Sequence, residues 1–105
     1  MRDIPEKFTR EGIDYELIQR HGNVAAIYMG KRNGVFMEYE VWKLRTYKKD
    51  NPSYNVQAGD IHKPSTKDWG RFGWTYVKLE SAQRKFGQLI NETTKTQLID
   101  NENNT

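Results

Sequence analysis

Asn33-Gly34 sits between two apolar stretches, residues 24–29 and 35–41. Both residues tolerate positive φ, so the pair predicts a β-hairpin closed by a two-residue type I′ turn. Gly22-Asn23, eleven residues earlier, predicts a second turn of the same kind. Together they impose three antiparallel strands at about 13–21, 24–32 and 35–47. If both loops hold two residues, Leu17, Tyr28 and Tyr39 fall in one cross-strand row, because a one-residue slip would move every side chain to the other face. The third strand changes phase: Met37, Tyr39 and Val41 share one parity, while Trp42 and Leu44 take the other. A bulge near Val41-Trp42, or burial of both faces, accounts for this.

Trp74 and Tyr76 share a parity and predict a short fourth strand at about 72–77. A helix follows at 79–91, where Leu79, Ala82, Phe86, Leu89 and Ile90 form one apolar stripe about 100° wide. Gly87 weakens that helix by about 1 kcal/mol relative to Ala, which suggests that an aromatic ring of the sheet approaches it closely. Beyond Asn91 the chain is rich in Asn and Thr, the composition of a flexible tail. The expected architecture is α+β: a twisted antiparallel meander of three to four strands with one C-terminal helix packed across it. Residues 1–91 form a single domain, followed by a flexible tail at 92–105.

With 105 residues there is room for one core and little besides. The absence of Cys excludes disulfides, thiolate chemistry and Cys-ligated zinc or iron–sulfur centres, and two His exclude a three-His metal site within one chain. The longest apolar run, residues 24–29, is too short to span a bilayer. No apolar stretch follows Met1-Arg2-Asp3-Ile4-Pro5, so a signal peptide is not expected and the expected location is the cytoplasm. Charge is uneven. Residues 1–42 carry 6 basic and 7 acidic side chains, residues 43–85 carry 10 and 4, a net of +6, and residues 92–105 have a net of −2. A basic middle segment attracts anionic partners, although solubility alone also accounts for such an excess.

Chemistry-bearing residues are sparse. Asp60 and His62 are two apart in a loop and form a candidate acid–base pair, but no Ser or Cys nucleophile lies in a recognisable elbow beside them. Glu38 and Glu40 share one strand face, and with Asp14 and Glu16 on the neighbouring hairpin they form a candidate acidic stripe. There is no phosphate-binding loop and no dinucleotide fingerprint. The denser signal is the interleaving of rings and cations: Lys43, Arg45, Lys48 and Lys49 at the end of the third strand, then Tyr54, Trp69 and Arg71 in and after a long loop at 50–68. Cations track phosphates or carboxylates while exposed rings anchor a partner. These seven residues are the expected partner-binding surface.

The run 64–76, Pro-Ser-Thr-Lys-Asp-Trp-Gly-Arg-Phe-Gly-Trp-Thr-Tyr, continues through Leu79-Glu80, Ala82 and Phe86, with Tyr39-Glu40-Val41 upstream. It resembles a pattern in small proteins of phages and mobile elements of Bacteroides-type bacteria. The resemblance covers about residues 8–90. It departs at Trp69, where Phe is common, at Gly73, where Ala is common, and in a more basic 43–63 segment. It implies a setting and no mechanism. In that setting the expected function is non-catalytic: an accessory protein that binds and blocks a host protein or nucleoprotein complex, for example an anti-CRISPR or other anti-defence inhibitor. The alternatives are a small DNA- or RNA-binding module, a minor virion component, or a small nucleotide-binding enzyme using the Asp60–His62 loop. No cofactor, metal or membrane is expected, and an open strand edge admits a homodimer.

Overall fold

The computed structural model describes the backbone at residues 3–47, 49–50, 52–54, 57–62, 64 and 66–103. The side chains at 54, 62, 66 and 94–103 lie outside that description. Five strands form one antiparallel sheet in the order β1 (Lys7–Arg10), β2 (Ile13–His21), β3 (Ala25–Arg32), β4 (Val35–Lys43) and β7 (Gly73–Tyr76). A two-stranded annex pairs β5 (Arg45–Thr46) with β6 (Ile61–His62). One helix, α1 (Leu79–Asn103), packs across the sheet. The α+β architecture expected from sequence is present, with five strands in the main sheet in place of three to four. The additional strand is β1, whose turn uses Glu11 and Gly12 at φ of 53° and 78°.

The 33–34 hairpin forms as expected, with Asn33 and Gly34 at φ of 52° and 81° and Arg32 opposite Val35. The predicted Leu17–Tyr28–Tyr39 row does not form. Leu17 faces Tyr28, but an irregularity between Gly30 and Lys31 inserts one extra residue into β4, so Tyr28 faces Glu40 and Tyr39 faces Met29. A second irregularity, at Ile18, accompanies a 22–24 connection one residue longer than the expected loop. Pairing from Tyr39 to Lys43 is regular. The phase change at Val41-Trp42 therefore reflects burial of both faces and not a bulge there: Trp42 points into one core cluster and Val41 into the other.

The first cluster unites Ile4, Ile13, Tyr15, Ala26, Tyr28, Trp42 and Leu44, with Phe8, Leu17, Ile61 and Trp69 packed on it. Phe8 stacks on Tyr15 with ring centroids 4.8 Å apart, and also reaches Trp42, at 5.6 Å. Strands three places apart in a flat sheet stand about 14 Å apart. Side chains of β1 and β4 can meet only if the sheet curls, with this face concave, and bulges increase such twist. The second cluster lies under α1 and joins Ala25, Ile27 and Val41 to Ala82, Phe86 and Leu89. Leu79, expected in the stripe, remains 38% exposed at the helix start.

The helix backbone continues to Asn103, past the stripe that predicted its end at 91. At Gly87 no ring approaches: a Cβ placed there meets nothing within 4 Å. The expected close contact is absent, so the glycine only costs helix stability. Gly87→Ala is expected to raise stability by about 1 kcal/mol, read as a higher denaturation midpoint at unchanged slope.

Candidate functional site

The polar centre of the concave face is Glu40, whose side chain is 1% exposed. Its register opposite Tyr28 turns it inward. One carboxylate oxygen, Oε2, is ion-paired with Arg10 Nη2, which arrives from β1 across the curl. The other, Oε1, accepts a hydrogen bond from Trp42 Nε1 at 3.1 Å. Arg10 also donates to the Tyr15 hydroxyl at 3.2 Å. Its guanidinium lies over the rings of Tyr15, Trp69 and Phe8, at 5.0, 5.7 and 5.9 Å from their centroids. Burial, reinforced by the charge of Glu40, pushes the Tyr15 phenol up to about 12. Burial, and then the same charge, holds the Glu38 carboxyl above its usual range. This centre reads as a neutralised ion pair with every described hydrogen bond made within the fold, an arrangement that fixes the curl.

The four acids expected as one stripe are divided. Glu38 and Glu40 face the concave side, one of them buried, while Asp14 and Glu16 alternate with the inward Tyr15 and occupy the opposite face. Asp60 is buried, and its Oδ2 accepts from the Gln57 backbone N–H at 3.0 Å, tying its own loop. The side chain of His62 is outside the described residues. Among the described residues no group of three or more His, Cys, Asp or Glu is placed to hold a metal ion. No helix among them is long and apolar enough to cross a membrane.

The basic residues singled out from sequence come together in part. Phe72 lies beside the end of β4, held by a hydrogen bond from the Lys43 backbone N–H to its carbonyl at 2.9 Å. Three cations surround its ring: Arg45 at 3.6 Å, Arg71 at 5.6 Å and Lys43 at 5.8 Å from the centroid. Arg45 is also bridged to Asp68 at 3.2 Å, which fixes its fork. Arg71 is exposed, as is Lys49. Lys48 and the side chain of Tyr54 lie outside the described residues. Trp69 turns away from this cluster: its ring covers Gly73, where a Cβ would come within 2.6 Å of Cζ3, and its Nε1 donates to Thr75 Oγ1 at 3.0 Å. The missing side chain of Gly73 is what admits the ring of Trp69.

Phe72 as the organiser of the cations, and Arg10 as the partner of Glu40, were not legible from sequence. Phe72 carried the signal of one ring between cations at 71 and, across the sheet, at 43 and 45. Arg10 carried none. No family model matches the chain, and comparison with curated proteins and with solved structures finds no match.

Proposed function

We propose that this chain is a non-catalytic binding protein that engages, and thereby blocks, a macromolecule presenting an anionic surface, through the cations gathered on Phe72. The observation that carries the reading is the convergence of Lys43, Arg45 and Arg71 on one ring from two separate parts of the chain. Arg45 is pre-set by Asp68 and the ring, which lowers the ordering cost of binding. Two features oppose the competing readings. The acids are split between faces, so they form no continuous phosphate-like stripe. The described Trp rings are engaged within the fold: Trp42 in the core, Trp69 over Gly73, and Trp74 under Lys85 at 4.1 Å. They therefore offer little for base stacking, and the partner is read mainly by charge. With the phage or mobile-element resemblance, an inhibitor of a host defence complex is the role this suits.

Lys43→Glu combined with Arg71→Glu tests it. Capture from bacterial lysate identifies the wild-type partner, and titration of that purified partner measures affinity. The double reversal is expected to weaken binding at least tenfold with little change in melting temperature, because Arg71 is exposed. A parallel salt titration against a DNA duplex separates the alternative: a direct nucleic-acid binder loses affinity steeply as salt rises. Unchanged affinity in the double variant would remove this surface from the function.

A further inference from the structure

Phe72, Trp74 and Tyr76 alternate along β7 and its approach, so the three rings share the face that α1 crosses. The bond from the Lys43 N–H to the Phe72 carbonyl continues the β4–β7 ladder one pair beyond Trp42 and Gly73. The cations on Phe72 are therefore one end of a row. At the next ring Lys85 reaches over from α1, with Nζ 4.1 Å from the Trp74 centroid. Past it a shallow hollow of about 260 Å³ opens between Tyr76 and the helix, lined by Ser81, Arg84, Lys85 and Gln88. Two arginines of the row already hold carboxylates of this chain: Arg45 holds Asp68 and Arg84 holds Glu80, each at 3.2 Å. Among the described residues Lys43, Arg71 and Lys85 form no ion pair with an acid.

We propose, on the premise that the Phe72 surface binds the partner, that its occupant is an extended acidic segment of a partner protein. That segment runs from Phe72 along β7 to Tyr76 and carries acidic residues at alternate positions. Spacing and charge select this occupant. Phe72 and Trp74 are two residues apart on one strand, about 7 Å, which is also the distance between alternate side chains of an extended peptide. Carboxylates at that interval meet Lys43 and Arg71 at one ring and Lys85 at the next. The Ser81 hydroxyl and the Gln88 amide, on the wall of the hollow, offer hydrogen bonds to a peptide backbone. Nucleic acid fits less well. Cations already lie over the Phe72 and Trp74 rings, so bases find no open platform to stack on. The row also lies in the angle between α1 and the outermost strand, where Trp74, Tyr76 and Lys85 are half-buried, a place for one chain and not for a duplex.

Fluorescence anisotropy with three labelled probes tests it. The first is a peptide of alternating Glu and Thr. The second has the same composition with all its Glu in one block. The third is an oligothymidylate of equal charge. The alternating peptide is expected to bind several-fold more tightly than either of the others. Lys85→Gln is expected to weaken that binding several-fold. Arg84→Gln, at a side chain 74% exposed and so without risk to the fold, is expected to weaken it in the same direction. Equal affinity for the blocked peptide, tighter binding of the oligothymidylate, no binding of the alternating peptide, or wild-type affinity in both variants overturns the proposal. Its failure is distinct from failure of the Phe72 surface. If Lys43→Glu with Arg71→Glu abolishes capture of the lysate partner while Lys85→Gln and Arg84→Gln bind the alternating peptide as wild type does, the surface stands and the acidic segment along β7 falls. If the double reversal leaves capture unchanged, the surface itself falls.

Discussion

Phe86→Ala is expected to destabilise the fold by about 3–5 kcal/mol, the range for a large buried ring removed from a core. Phe86 is buried at the centre of the helix–sheet cluster, flanked by Ala82 and Leu89 on α1 and facing Ala25, Ile27 and Val41. Two of those neighbours are alanines, so there is little flexible side chain to collapse into the space. The same shortage explains why the ring is there: Ala25 on β3 and Ala82 on α1 leave a recess that the ring occupies. Chemical denaturation reads the effect. Against a total stability of about 5–15 kcal/mol it is a large share. Phe86→Leu, which keeps most of the volume, is expected to cost less than about 2 kcal/mol. A midpoint unchanged by Phe86→Ala would mean that the helix does not seal this face.

What the sequence discloses follows from how local the determining physics is. The 33–34 hairpin was legible because Asn33-Gly34 carries its turn geometry in two residues. The helix was legible because Ala82, Phe86 and Leu89 recur on one face. Strand β1 was not: Lys7-Phe8-Thr9-Arg10 holds one apolar residue, and its turn places Glu11, an unusual choice, at positive φ. The register beyond Gly30 was not legible either. The extra residue in β4 is favoured by what it achieves globally, turning Tyr28 and Trp42 to one face and Ile27 and Val41 to the other, and nothing in the local alternation announces it. The basic surface was half legible. Lys43 and Arg45 stand two apart and share a side, but Arg71 joins them only because Phe72 is held beside the end of β4. The acidic stripe failed for the converse reason: once the sheet curls, one side of each strand becomes interior, and Glu40 is drawn in with its cation.

That inward carboxylate yields the second large effect. Arg10→Met is expected to cost about 2–3 kcal/mol. Removing one partner of a fully buried pair costs about 3–5 kcal/mol. The figure is lower here because the Arg10 side chain is 42% exposed, and solvent screens part of the interaction. The loss has two physical parts. Glu40 is left in a closed space without its cation, held by Trp42 Nε1 and the neighbouring Tyr15 hydroxyl, and the rings of Phe8, Tyr15 and Trp69 lose the cation they surround. A Met fills much of the same volume, which limits the cavity contribution and isolates the electrostatic one. Glu40→Gln keeps an acceptor for Trp42 while removing the charge. In the Arg10→Met background it is therefore expected to recover more than half of the loss, whereas in the wild-type background it destabilises by stranding Arg10 over the rings. This sign reversal distinguishes an ion pair from simple packing: a packing role predicts that the two substitutions add. Chemical denaturation of the four members of the cycle measures it. Additivity within about 0.5 kcal/mol would show that the curl is held by the aromatic rings alone.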